Sequence, residues 1–493
     1  MPAGFSAADF FYILPELVLT GGALLVLVVD VLTSRQQRPL LGWLTVGVLL
    51  VTTLTLLPFS DANVVVSRGL LAIDGFAFFF KLIFLLTAIV TVLMSSSYIE
   101  VEELRAGEYY FLILCATLGM MFMASGIDLV TIFIGLETMA VAFYILTGLL
   151  KPNRRSNEAA VKYFLLGAFS LGILLYGMSM LYGLSGTTNL RELATVLATQ
   201  ERSALLIVAL ILVVGGVGFK IAAVPFHMWA PDVYEGAPTP VTAFLSVGSK
   251  AAAFAMLLRI FTEGLPFLAE VWQPMFWVLA VVTMTVGNLA ALTQSNIKRM
   301  LAYSSIAHAG YVLIGVVANS SRGITALMIY LMLYVFMQLG AFAVVVMLRR
   351  HDVVGDELKD LSGLYFRYPV AACAMLFFML SLGGIPPTAG FMGKFWLFSA
   401  AIESGYIWLA VIGVLNSAIS LYYYVRVVVF MWMREEVLGS PITASPAMVV
   451  ALTVALAGAV IFGVYPRPLF ELAELSVQSF GGVVAAAEAI SYR

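Results

Sequence analysis

Five lysines lie inside apolar stretches of this chain: Lys81, Lys162, Lys220, Lys250 and Lys394. A lysine at bilayer depth costs about 2.5–3.5 kcal/mol on insertion scales, so it faces a protein interior or a wet cavity. Arginine holds its proton under all ordinary conditions, whereas a desolvated lysine can release one. Lys220 precedes Pro225 by five residues, and Lys250 follows Pro240 by ten. Proline frees a helical carbonyl, which at depth is tolerated only against protein or water. A lysine beside such a break is a candidate for an ion path. Snorkelling to an interface stays open as the alternative for Lys81 and Lys162.

Acids are fewer. Glu137, in IFIGLETMAV, is eleven residues from Gly126 and fourteen from Lys151, the middle of an apolar run. A carboxylate beside a lysine can titrate as a couple, or the two can simply hold helices together. Asp30 and Asp128 read as interfacial, and Glu16 as interfacial or partner-facing. His308 follows Ser304 and Ser305 and could relay protons through hydroxyls and water, or pack as a hydrogen-bonded core residue. His227 falls in the turn after Pro225, either at the mouth of a path or capping a loop. His351 is a loop residue with no assigned role.

The elements that must position these groups are membrane helices. Hydrophobic residues make up 62% of the 493 and charged residues 11%, against about 25% charged in soluble domains. Apolar runs long enough for a bilayer predict fourteen spans, near 11–33, 40–57, 75–97, 109–125, 127–150, 159–184, 204–224, 240–262, 271–293, 300–318, 323–348, 370–402, 406–433 and 447–465. Cytoplasmic loops collect lysine and arginine. One set of loops holds thirteen, among them Arg35, Arg38, Lys151, Arg154, Arg155, Lys298, Arg299 and Arg350; the other holds six, among them Arg191, Arg202, Arg322 and Arg493. Both termini are therefore expected outside the cytoplasm. No basic residue precedes the first apolar run, so a cleavable signal peptide is not expected.

Span 12 contains LGGIPPTAGFMGK, in which Pro386, Pro387 and four nearby glycines interrupt the helix just before Lys394. Spans 7 and 12 are thus both broken, both carry a lysine, and stand five apart. Paired broken spans point to inverted repeats with the ion site at the break. The expected division is 1–107, three helices; 108–262, a first five-helix repeat (spans 4–8); 263–434, a second, inverted one (spans 9–13); and 435–493, a last helix and tail. Glu137, Lys162, Lys220, Lys250, His308 and Lys394 then form one row of titratable groups, the arrangement that proton translocation requires.

Net charge is −2, which gives no reason to expect a nucleic-acid partner. Cys115 and Cys373 lie in apolar runs without metal-ligand spacing and are expected to be buried packing residues. No glycine-rich nucleotide loop follows a strand.

These residues resemble the antiporter-like subunits of the proton-pumping NADH:quinone oxidoreductases, respiratory complex I. The marks are Glu137, Lys220 with Pro225, Lys250, Lys394 and QSNIKRMLAYSSIAHAGYVLIG. The segments VPFHMWAPDVYEGAPTPVTAFLSVGSKAAAF and YFLLGAFSLGILLYGMSMLYGLSGTTNL are similar to its subunit N branch. The resemblance implies an all-α polytopic subunit in a membrane arm within a bacterial inner membrane. It would translocate protons, driven by quinone reduction elsewhere, among other membrane-arm subunits. It would bind no cofactor itself, with FMN, iron–sulfur clusters, NADH and quinone on other subunits. It also implies that Glu137 and Lys220 couple at the inlet, with Lys162 beside them, Lys250 as central relay and Lys394 toward the outlet. The alternatives are a subunit of a cation/proton antiporter complex, a subunit of a ferredoxin-fed photosynthetic-type complex, and a structural membrane subunit.

Overall fold

In a computed structural model, residues 7–33, 39–349, 355–435 and 444–481 are described. Arg35, Arg38, Arg350, His351, Arg493 and most of the tail lie outside them. The described residues are all-α apart from one small hairpin. We number the principal helices α1 Leu14–Leu32, α2 Pro39–Leu56, α3 Gly75–Val101, α4 Ala106–Ser125, α5 Leu129–Thr147, α6 Arg154–Ser185, α7 Ala204–Lys220, α8 Trp229–Gly236 and α9 Thr239–Gly264. After them come α10 Ala269–Ala291, α11 Ile297–Ala318, α12 Ser321–Leu348, α13 Pro369–Gly383, α14 Ala389–Glu403, α15 Ile407–Met433, α16 Pro446–Val464 and α17 Arg467–Gln478. Among the described residues twelve helices are long and apolar enough to cross a membrane, and α7 and α13 are shorter apolar helices. α7 and α13 are the two segments continued after a break, so the observed helices coincide with the fourteen expected runs.

The helix starts are chemically marked. Asp74 caps α3 by accepting from the Ala77 amide, Asp128 caps α5 through the Val130 and Thr131 amides, and Asn296 caps α11 through the Arg299 amide. Each side chain satisfies donors that the first helical turn leaves unpaired. Asp128, expected to be interfacial, is therefore a buried cap that also accepts from Thr188. The connection 58–74 contains strands β1 Val64–Val66 and β2 Leu71–Ile73, antiparallel with Val65 opposite Ala72.

Burial sorts the helices. α9 is buried along its length, α11 and α12 nearly so, and α3 over most of its surface. These four form the centre of the bundle. In α1, α2, α6, α10, α15 and α16 fewer than half of the span residues are buried, as in an outer ring facing lipid or other subunits. α9 is interrupted by two π-helical stretches, Leu245–Ser249 immediately before Lys250 and Arg259–Gly264 at its far end. Such π turns re-aim side chains and concentrate at functional sites. One expectation fails in part: Cys373 is exposed on α13, whereas Cys115 on α4 is half-buried and packs against the hydrophobic core.

Candidate functional site

The central group is built on α9 and α11. The Lys250 Nζ, buried, donates to the Ser305 carbonyl at 2.6 Å and lies 2.5 Å from the Ser305 hydroxyl. One turn along, His308 lies between two phenols, with Nδ1 2.5 Å from the Tyr330 hydroxyl and Nε2 3.0 Å from that of Tyr424. The Tyr424 hydroxyl also meets Ser304 at 2.5 Å. A hydroxyl both gives and takes a hydrogen bond. Tyr424 therefore joins Ser304 to His308, and His308 is within electrostatic reach of both Lys250 and Lys394.

The broken spans position the flanking lysines. α13 stops at Gly383, Gly384 turns left-handed at φ 84°, and α14 resumes at Ala389. The break strands the last carbonyls of α13. Lys394 takes them up, donating to Leu382 O at 3.1 Å, Gly383 O at 3.0 Å and the Ser417 hydroxyl at 2.8 Å. A cation at a helix C-terminus also complements the dipole, and Nζ rests 4.8 Å from the Tyr311 ring centre. Pro386 and Pro387 occupy the connecting turn.

α7 likewise stops at Lys220, and α8 begins only at Trp229, beyond Pro225. The freed Phe219 carbonyl accepts from Trp229 Nε1 at 3.0 Å, and the Val224 amide donates to the Thr283 hydroxyl at 3.0 Å. Lys220 differs from Lys394: its buried ammonium has no hydrogen-bond partner among the described residues and lies 5.9 Å from the Tyr144 ring centre. Its counter-charge is Glu137, half-buried on α5 and close enough for each to feel the other's field. An unpaired buried ammonium is expensive, so this is the least settled charge of the row.

Lys162 departs from the row. Its side chain is 43% exposed and forms ion pairs at 2.8 Å with Glu158 and with Asp232. Arg299 completes the cluster, bonding Asp232 at 2.7 Å and Glu235 at 3.0 Å. The group ties α6 and α11 to α8, the half-helix after the break. Burial raises the Asp232 carboxyl, but the hydrogen bonds from Lys162 and Arg299 outweigh it and hold Asp232 below the usual carboxylate range. His227 is half-buried, and that burial pushes its imidazole down.

Three features escaped sequence reasoning. Glu16 and Lys81 form a buried ion pair at 2.6 Å between α1 and α3. Arg259, which lies near the end of the expected span 240–262, is fully buried between Asp74 at 2.8 Å and Glu263 at 2.9 Å, with Arg191 on Glu263 at 2.7 Å. The tyrosines around His308 were not singled out. Their signal was present: Tyr330 and Tyr334 recur at helical spacing on α12. Among the described residues no cluster of three or more histidine, cysteine or acidic side chains could hold a metal.

A helical membrane protein with two broken spans and a buried lysine at each break belongs to the class of antiporter-like membrane subunits. The comparisons agree. The family described as "NADH:quinone oxidoreductase/Mrp antiporter, TM" matches residues 126–420. The chain is 47% identical to NADH-quinone oxidoreductase subunit N of Trichlorobacter lovleyi, over 96% of this chain and 98% of that one. A chain of respiratory complex I from Thermus thermophilus with bound aureothin superposes with a TM-score of 0.78 at 34% identity, over 93% of this chain and 99% of that one. A chain of the Mrp complex from Dietzia shares the fold, with a TM-score of 0.79 at 22% identity over 96% and 99%. The chain belongs to the NADH:quinone oxidoreductase/Mrp antiporter family, in its NADH-quinone oxidoreductase subunit N branch.

Proposed function

We propose that this chain is a proton-translocating subunit in the membrane arm of an NADH:quinone oxidoreductase. Protons pass along Glu137, Lys220, Lys250, His308 and Lys394, with Lys162 at the margin of the row. The observation that carries the reading is the Lys250–Ser305 contact beside the Ser304–Tyr424–His308 chain, bonded titratable groups lying among lysines buried in the protein interior. Each transfer breaks one N–H or O–H bond and forms another, and each change of charge alters its neighbour's proton affinity.

Redox chemistry belongs to other subunits in this reading, which carry FMN, iron–sulfur clusters and quinone. The partners are the neighbouring membrane-arm subunits, and the setting is a bacterial inner membrane with both termini outside the cytoplasm. The chain divides at 1–107, 108–262, 263–434 and 435–493, with the second and third parts as inverted repeats. The broken spans α7–α8 and α13–α14 occupy equivalent positions in those two parts. Identity of 47% with a subunit N chain favours the oxidoreductase over a cation antiporter, which is supported by fold alone.

The test is Lys220→Ala in the assembled complex. Intact assembly with proton pumping reduced at least severalfold supports the reading. Unchanged pumping, or loss of assembly alone, contradicts it.

A further inference from the structure

At the end of the bundle that the charge count assigns to the cytoplasm, a cavity of about 270 Å³ opens beside the start of α9 and α11. Asn153 and Arg155 stand exposed at its rim, and Tyr98, Lys298, Arg349 and Asp356 line it. Lys298 is 3% exposed, yet it belongs to that wall. Its ammonium donates to Glu235 O at 2.8 Å and Ala237 O at 2.7 Å and stands 3.8 Å from the Asp356 carboxylate. Asp356 itself is held above the usual carboxylate range by burial, against the pull of Lys298 and Arg349.

Lys298 shares a helix face with the central relay. Ser305, the partner of Lys250, follows it by seven residues, two turns of α11 or about 10 Å inward. Beside that interval the Tyr234 hydroxyl is buried near Ser305, with no protein group within full hydrogen-bond distance among the described residues. An enclosed polar spot of this kind suits an ordered water. We propose that Lys298 is the residue that takes protons from this vestibule and hands them to Lys250, by way of the Ser305 hydroxyl and water. At each passage an N–H bond of Lys298 breaks as an O–H bond of water forms, and the amine is then reprotonated from the vestibule.

The inference rests on the proton-transfer reading above. The rival is a clamp that merely fastens the α8–α9 turn to α11. Lysine and arginine separate the two, because a guanidinium can bond both carbonyls but does not give up its proton. In the intact complex reconstituted into sealed vesicles, Lys298→Arg is expected to assemble, reduce quinone, and pump at least fivefold less per electron pair. Lys298→Gln, which keeps a donor for the carbonyls, is expected to do the same. Wild-type pumping in either assembled variant overturns the proposal, and so does failure of both to assemble. Lys220→Ala, measured alongside, keeps the two ideas apart. If it loses pumping while Lys298→Arg retains it, only the intake role falls; if Lys220→Ala pumps normally, the reading beneath it falls.

Discussion

The buried charges differ in how well they are held. Lys394 has three hydrogen-bond partners and Lys250 two, both on Ser305, whereas Lys220 has none among the described residues. A loosely held proton carrier is easier to discharge. Tyr424 is the bridge that sequence reasoning missed, and Tyr424→Phe removes its hydroxyl without changing shape. Proton pumping per electron pair should fall severalfold while the complex assembles normally; unchanged pumping in vesicles would remove Tyr424 from the path. Glu16 and Lys81 pose a separate question. Removing one member of a buried pair leaves the other uncompensated, at a cost of about 3–5 kcal/mol. Lys81→Met should therefore lower thermal stability of the solubilised protein sharply, and Glu16→Leu with Lys81→Met should recover most of the loss. The lysines announced themselves because charge is rare in apolar runs. Their partners did not, since Glu16 meets Lys81, and Tyr424 meets His308, only through packing of helices distant in sequence.

At the scale of elements, the two breaks define the architecture, and glycines permit their closure. A Cβ at Gly390 would stand 1.7 Å from the Ser381 carbonyl oxygen, whereas one at Gly172, on the outer face of α6, would meet nothing within 4 Å. Gly390→Ala should abolish assembly, and Gly172→Ala should be tolerated or stabilise by about 0.5–1 kcal/mol; detergent melting curves check both. α8 is fastened by the charge cluster around Asp232. Because its carboxyl is held below the ordinary range, the stability it contributes is complete above the unfolded carboxylate pKa, near 4, and is lost as pH falls through the lower folded value. Hydrogen exchange across 229–236, the helix this cluster holds, corrected for intrinsic rate, should rise in strong acid as Asp232 takes up a proton, beyond any loss that begins below the usual histidine range as His227 is protonated. The spans were legible because a bilayer fixes their length, and the breaks because proline and glycine cannot continue a helix. The π turns of α9 and the hairpin at 64–73 were not legible, since both arise from fitting one element against another.

For the whole molecule, burial and chemistry coincide. The least exposed helices, α9, α11 and α12, carry Lys250, Ser305, His308 and Tyr330, while the outer helices present apolar faces to their surroundings. Lys162 lies outside that core on an exposed face, a placement that apolar spacing alone did not reveal. The most direct measurement is the number of protons moved per electron pair by the assembled complex carrying Lys250→Met, in sealed vesicles. The account predicts a fall with electron transfer still detectable and subunit content unchanged. A ratio equal to that of the unaltered complex would contradict it.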